Sequence, residues 1–193
     1  MPNLYVALVH HPVVNKDGDT IAAAVTNLDL HDIARVAKTY GVKGFYVTTP
    51  LADQQHLARR ITAHWLKGPG GRHNPKRREA LALIRLADSL EQALAEIGRE
   101  AGERPRTVAT AARRRPGSIG FGDLRRQLSG GSPHVLVLGT AWGLAPSVFE
   151  AADTVLEPVE GPSLYNHLSV RAAAAVILDR LLGCRAKEDL ETD

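Results

Sequence analysis

The sequence predicts an α/β protein with a mostly parallel sheet and helices on both faces. Three observations lead there. Short runs of strand length, rich in β-branched and apolar residues, alternate along the chain with segments whose apolar residues recur at three and four. One of these runs, "HVLVLG" (His134–Gly139), is almost wholly apolar, as a strand covered on both faces must be. Several runs then open into Gly- or Pro-broken turns that lead into helix, the rhythm of βα units. No repeat or linker divides the 193 residues, so a single domain over 1–193 is expected.

Taken in order, "LYVALV" (Leu4–Val9) is the first strand, and "HHPVVNKDGD" reads as a polar loop. A helix follows, capped by Asn27 or Asp29, with Leu30, Ile33, Ala34 and Ala37 on its apolar face and Gly41 as its stop. Lys43–Thr49 is β-branched and aromatic, hence a strand. "LADQQHLARRITAHWLKG" returns to helical spacing and ends at Gly68, and "PGGRHNP" reads as a loop. "EALALIRLA" fits helix or strand; a strand around Leu81–Ala87 is preferred, because Ser89–Gln92 forms a capping box that opens a new helix. Beyond it come strand "RTVATAA", helix "GDLRRQL", strand "HVLVLG", helix "APSVFEAA", strand "TVLEPV" and an Ala-rich helix in Tyr165–Leu181.

Composition narrows the function classes. Net charge +3 with a pI near 9.2 leans toward a polyanionic partner. The single cysteine, Cys184, excludes an internal disulfide and a multi-cysteine zinc site, and reads as a packing residue of the last helix. The eight histidines show no H-x-x-x-H spacing, and His10 and His11 end a strand on opposite faces, so no metal is expected. No stretch has the length of a membrane span, and "MPNLYVALVHHP" lacks the marks of a signal peptide. A cytoplasmic protein is the expectation.

Charge placement says more than net charge. Gln54–Arg78 holds seven cations and no acid: Arg59, Arg60, Lys67, Arg72, Lys76, Arg77 and Arg78. A second acid-free window, Arg104–Gly122, carries the triplet Arg113–Arg115. Such stretches suit a phosphate backbone, the bland alternative being a solvated face. The candidate contacts to such a polyanion are Arg59, Arg72, Lys76, Arg77, Arg78, Arg113 and Arg114. Trp65, ending an amphipathic helix, reads as core, and Trp142 as core or base-stacking surface. The last seven residues, "KEDLETD", are acidic and expected to fray.

Parallel sheets bind ligands beyond the carboxyl ends of their strands. Three irregular segments stand there. "LGTAWGL" (Leu138–Leu144) brings Gly139 and Gly143, "LEPVEGP" (Leu156–Pro162) brings Pro158 and Gly161, and "YNHLS" (Tyr165–Ser169) puts a polar knot before the last helix. A side chain at Gly139 is expected to occupy ligand space while leaving the fold intact. G-x-G-x-x-G and G-x-x-x-x-G-K-[ST] are both missing, which argues against a nucleotide-binding oxidoreductase or a P-loop enzyme.

With these residues in view, Val135–Leu181 resembles the C-terminal half of the SPOUT (SpoU–TrmD) methyltransferases. The matching positions are Leu138, Gly139, Gly143 and Leu144, then Asp153, Val155 and Pro158, then Ser163, Leu164, Asn166, Ser169 and the Ala run. "NLDLHDIARVAKTYGV" is similar to the first SpoU-type motif at Arg35, Ala37 and Gly41. Three departures stand out: "TAW" in the first loop, two extra residues in "SLYNHLS", and no Gly before the Asn of the first motif. A nearer likeness is to stand-alone proteins related to the C-terminal part of tRNA guanine-N1 methyltransferase.

The resemblance implies a C-terminal trefoil knot and S-adenosylmethionine as cofactor. It implies cofactor contacts at Leu138, Gly139, Thr140, Gly143, Leu144, Leu156, Pro158, Gly161, Tyr165, Asn166, Leu168 and Ser169. Arg35 falls at a catalytic arginine, with Asp29 and Glu160 as candidate acids; the plainer roles are a surface arginine, a helix cap and a loop carboxylate. The implied protein is a homodimer that methylates RNA, tRNA or rRNA. The alternative is a knotted RNA- or ribosome-binding protein without activity.

Overall fold

The computed structural model describes residues 3–163 and 165–184. Its elements alternate as expected. The first half of the chain gives β1 (Leu4–Val9), β2 (Val13–Val14), β3 (Thr20–Ile21), α1 (Asn27–Thr39), β4 (Phe45–Thr48), α2 (Ala52–Leu66), α3 (Gly70–His73), α4 (Pro75–Leu81) and β5 (Ile84–Ala87). The second half gives α5 (Leu90–Ala101), β6 (Arg106–Thr110), α6 (Phe121–Ser129), β7 (His134–Gly139), α7 (Pro146–Ala151), β8 (Thr154–Leu156) and α8 (Val170–Leu182).

Six strands form one parallel sheet in the order β5-β4-β1-β7-β6-β8. The chain builds outward from β1 through β4 to β5. It then crosses to lay down β6, and β7 fills the place between β1 and β6. Side chains of a strand alternate between faces. Leu4, Val6 and Leu8 of β1 therefore enter a core with α1, α2, α4, α6 and α8, whereas Tyr5, Ala7 and Val9 enter a second core under α5 and α7. Helices cover both faces, which is why β1 is buried along its whole length.

Several local expectations need correction. The cap of α1 is Thr26, one residue before Asn27: its hydroxyl oxygen accepts from the Asp29 N–H at 3.2 Å. Asp29 answers by accepting from the Thr26 hydroxyl at 2.6 Å, a reciprocal arrangement like that of a capping box. Residues 69–75 are not all loop, since Gly70–His73 winds into α3. A Cβ on Gly71 would stand 2.1 Å from the Trp65 carbonyl oxygen, so only glycine fits there. Asn74 then caps α4, and that helix runs through Leu81; only Ile84–Ala87 is strand. The helical period of "EALAL" prevails because Ala80 and Leu81 both reach the core from a helix.

The "HHPVVNKDGD" loop contains a small antiparallel ladder, β2 with β3. Val13 is fully buried and bridges Leu144, so an apolar pair inside a polar segment has found a core position. Residues 165–169 precede the last helix, which begins at Val170 with Ser169 as its cap. Cys184 is exposed and does not pack. Leu164 and the acidic tail lie outside the described residues.

Candidate active site

The three irregular segments sit where β7 and β8 end and where α8 begins. The first is braced from behind. Thr140 donates through its N–H and its hydroxyl to the Val9 carbonyl, at 3.2 and 3.0 Å. The Trp142 N–H donates to the Val14 carbonyl, and the Val14 N–H donates to the Gly143 carbonyl, at 3.1 and 3.0 Å. The β2–β3 ladder is thus the back wall of this turn. Gly143 takes φ 115°, a conformation that L side chains rarely adopt. Gly139 is needed for another reason: a Cβ there would lie 2.6 Å from the Leu144 nitrogen, inside the turn itself. The expectation that a side chain at this position would obstruct only a ligand is therefore corrected. The turn would have to shift first.

The second segment carries Glu157, which accepts from the Phe121 N–H at 3.2 Å and from Arg114 at 3.3 Å. Pro158 is buried, and Glu160 is exposed with its carboxylate 3.9 Å from Arg114. A Cβ on Gly161 would meet nothing within 4 Å. In the third segment Asn166 donates to the Ala112 carbonyl at 2.7 Å, and Ser169 accepts from the Ala172 N–H at 3.3 Å.

One loop links the second and third segments to α7, the helix that follows the first. Residues 111–118 follow β6, and here Ala112 meets Asn166, Arg114 meets Glu157 and Glu160, and Arg115 lies over the Phe149 ring of α7 at 3.6 Å. Sequence reasoning marked this loop only for its cations. A backbone carbonyl as anchor leaves no trace in residue identity.

Asp153, the acid of the resemblance, accepts from the Thr107 N–H and hydroxyl at 2.8 and 2.9 Å and pairs with Arg104 at 3.1 Å. Burial opposes its ionisation, but the bonds from Thr107 and the charge of Arg104 prevail, and its pKa lies below the usual carboxylate value. It ties β8 to β6.

Of the candidate acids and bases, Asp29 is buried and pairs with Arg171 of α8 at 3.3 Å. Arg171 also reaches Asp32 at 3.5 Å, and Asp32 lies 3.9 Å from Arg35. Arg35 is exposed on α1, joined to the start of α8 through this chain of charges. His10 is fully buried at the end of β1, and burial lowers its pKa against the opposing charge of Asp29.

The cations of 54–78 stand on α2, α3 and α4, beside the β4–β5 half of the sheet, whereas Arg113 and Arg114 follow β6 in the other half. Lys76 pairs with Glu79 at 3.5 Å, Arg59 donates to Gln55, and Arg72 and Arg78 are not held in any ion pair among the described residues. Trp65 is half-buried, with the Arg77 guanidinium 5.0 Å from its ring centre, and Trp142 is 71% exposed. Among the described residues no three His, Cys, Asp or Glu side chains gather as a metal site, and no helix is long and apolar enough to cross a membrane.

Space is open at Gly161, and Trp142, Tyr165 and Leu168 are exposed. A solved structure of the SpoU methyltransferase AviRb from Streptomyces viridochromogenes, in complex with the cofactor AdoMet, shares the fold. Its TM-score is 0.57, at 20% identity, covering 94% of this chain and 58% of that one. The parallel sheet with flanking helices is the fold of that SpoU-type structure, and the chain is of the SPOUT class.

Within that class the chain belongs to the SAM-dependent RNA methyltransferase family, whose model matches residues 3–183. The tRNA (guanine-N(1)-)-methyltransferase of Oleidesulfovibrio alaskensis is 49% identical over 181 residues. That match covers 94% of this chain and 42% of the relative, so the chain spans less than half of that protein's length. An uncharacterized protein of Aquifex aeolicus is 39% identical over 180 residues, which cover 93% of this chain and 88% of that one.

Proposed function

We propose that this chain transfers a methyl group from S-adenosylmethionine to RNA, with tRNA as the substrate class. Leu138–Leu144, Leu156–Pro162 and Tyr165–Ser169 are the proposed cofactor loops. The observation that carries this reading is the 111–118 loop, which ties the third segment through Asn166 and the second through Arg114, and packs Arg115 on α7 just after the first. Membership of the methyltransferase family supports it independently. In this proposal the C-terminal segment threads a trefoil knot, a reading supported by the placement of β7 between β1 and the earlier β6.

When bound, the cofactor supplies an electrophilic methyl group, so the protein's task is to position the acceptor and relieve it of a proton. Arg35 is the proposed catalytic cation, exposed where an RNA atom can reach it. Glu160 stands at the open edge of the second loop as the proposed acid–base group. Asp29, buried and held by Thr26 and Arg171, serves here as a positioning residue that fixes α1 against α8. The half-buried Ala172 and Ala175 on α8 offer small side chains to a second copy, and a cytoplasmic homodimer completes the proposal.

Incubating the purified protein with methyl-labelled S-adenosylmethionine and bulk tRNA tests the reading. Label in RNA nucleosides is the expected result. Cofactor binding without any label in tRNA or rRNA would instead favour a knotted RNA-binding protein without activity.

A further inference from the structure

A recess of about 730 Å³ opens between α1 and α2, and no residue of the proposed cofactor loops lines it. Asn27, Leu28, His31, Asp32 and Arg35 line it from α1; Leu57, Arg60, Ile61, His64 and Trp65 from α2; Arg77 from α4. A volume of this size is typical of small-molecule sites.

Its chemistry is specific. Trp65 stands against two imidazoles, His31 at 5.2 Å and His64 at 5.3 Å between ring centres, both edge-on. Arg77 lies over the Trp65 ring, and its Nε is buried with no hydrogen-bond partner among the described residues. Arg60 and Arg77 have no carboxylate within 4.0 Å among the described residues. The one acid of the recess, Asp32, is already shared between Arg35 and Arg171. Burial, then the charge of Arg77, lowers the pKa of His31, so at neutral pH its ring can both donate and accept. The rim is apolar, with Leu28 58% and Leu57 40% exposed.

Net positive charge, a guanidinium plane, imidazoles and an apolar rim within one recess are what an unstacked RNA base with its phosphate requires. We propose that the α1–α2 recess binds one unpaired nucleotide of the RNA, separately from the cofactor loops. Arg60 and Arg77 take the phosphate, and the base lies among Leu28, His31 and Leu57. The inference rests on the RNA reading above and goes beyond it by assigning a base-binding subsite.

The chain has two tryptophans, so Trp142→Phe leaves Trp65 as the sole indole reporter. Hexauridylate should quench its emission saturably, and a blunt RNA duplex should quench it far less. Arg60→Ala with Arg77→Ala should weaken hexauridylate binding about tenfold or more, as the loss of charged contacts to one phosphate implies. Circular dichroism and cofactor titration should stay unchanged. Hexauridylate that binds by filter assay without moving Trp65 emission overturns the subsite and leaves the RNA reading intact. A double variant that shifts the monomer–dimer equilibrium while keeping the parent's RNA affinity also overturns it, and assigns the recess to a second copy of the chain. Failure of hexauridylate and tRNA alike to bind overturns both proposals.

Discussion

Arg171, two residues into α8, lies 3.3 Å from the carboxylate of Asp29, which is buried at the start of α1. The pair locks the helix after the third loop to the helix that carries Arg35. Arg171→Ala strands a buried carboxylate with only Thr26 as partner. Because Arg171 is itself about a third exposed, the cost should stay near the low end for such pairs, about 1–2 kcal/mol. Urea unfolding measures it, and Asp29→Asn, which removes the charge that needs a partner, should cost less.

Two glycines of the candidate cofactor loops should behave oppositely. Gly139→Ala places a Cβ 2.6 Å from the Leu144 nitrogen and should destabilise the fold by about 1–3 kcal/mol. Gly161→Ala meets no atom of the protein and should leave the melting temperature unchanged. If the cofactor fills that space, Gly161→Ala should weaken S-adenosylmethionine binding about tenfold, roughly 1.4 kcal/mol. Calorimetric titration beside a thermal melt separates the two; an unaltered affinity removes Gly161 from the site.

Asn166→Ala deletes the bond to the Ala112 carbonyl that anchors the third loop to the 111–118 loop. The loss of one such hydrogen bond, about 0.5–1.5 kcal/mol, should appear as a roughly two- to tenfold weaker cofactor affinity. Global stability should barely move, since both partners lie in loops at the surface.

Arg35→Ala is expected to lower turnover on RNA by about a hundredfold or more while leaving cofactor affinity at the parent's value. Arg35→Lys should rescue poorly, because a point charge does not reproduce a planar fork. Unchanged turnover would take Arg35 out of the mechanism.

Acid should find a weak point at Asp153. Its folded-state pKa is depressed, so its contribution is present above the unfolded carboxylate pKa and is lost as pH falls through the folded value. Stability measured from neutral pH down to about pH 3 should fall less steeply for Asp153→Asn than for the parent. Parallel acid limbs would show that the bonds from Thr107 contribute nothing to the pH dependence.

RNA affinity should fall with salt. If Arg72, Lys76 and Arg78 each meet a phosphate, replacing all three should flatten the log–log salt slope by about 2 for a single-stranded probe. An unmoved slope would make α3 and α4 a solvated face only.

Local patterning was enough to establish the main alternation of strands and helices, the parallel sheet and the places of the three loops, though not β2, β3, α3 or the helical run to Leu81. An apolar run such as His134–Gly139 has no stable home except a covered strand, and glycines such as Gly143 mark turns that other residues resist. The same patterning put Arg35 and Asp29 on one helix. What these residues touch was settled only when the chain folded. That Asp29 meets Arg171, 142 positions away, and that Asn166 meets a carbonyl at Ala112 are long-range pairings. They depend on which strands become neighbours, and no periodicity records them. Trp65 read as core from its helical spacing and does pack against the core, but only its contacts in the fold show that it also lines a recess with Arg77 over its ring. The short helix Gly70–His73 packs against α2 and α4, and Val13 is buried against Leu144; neither neighbour is marked in the local pattern of residues.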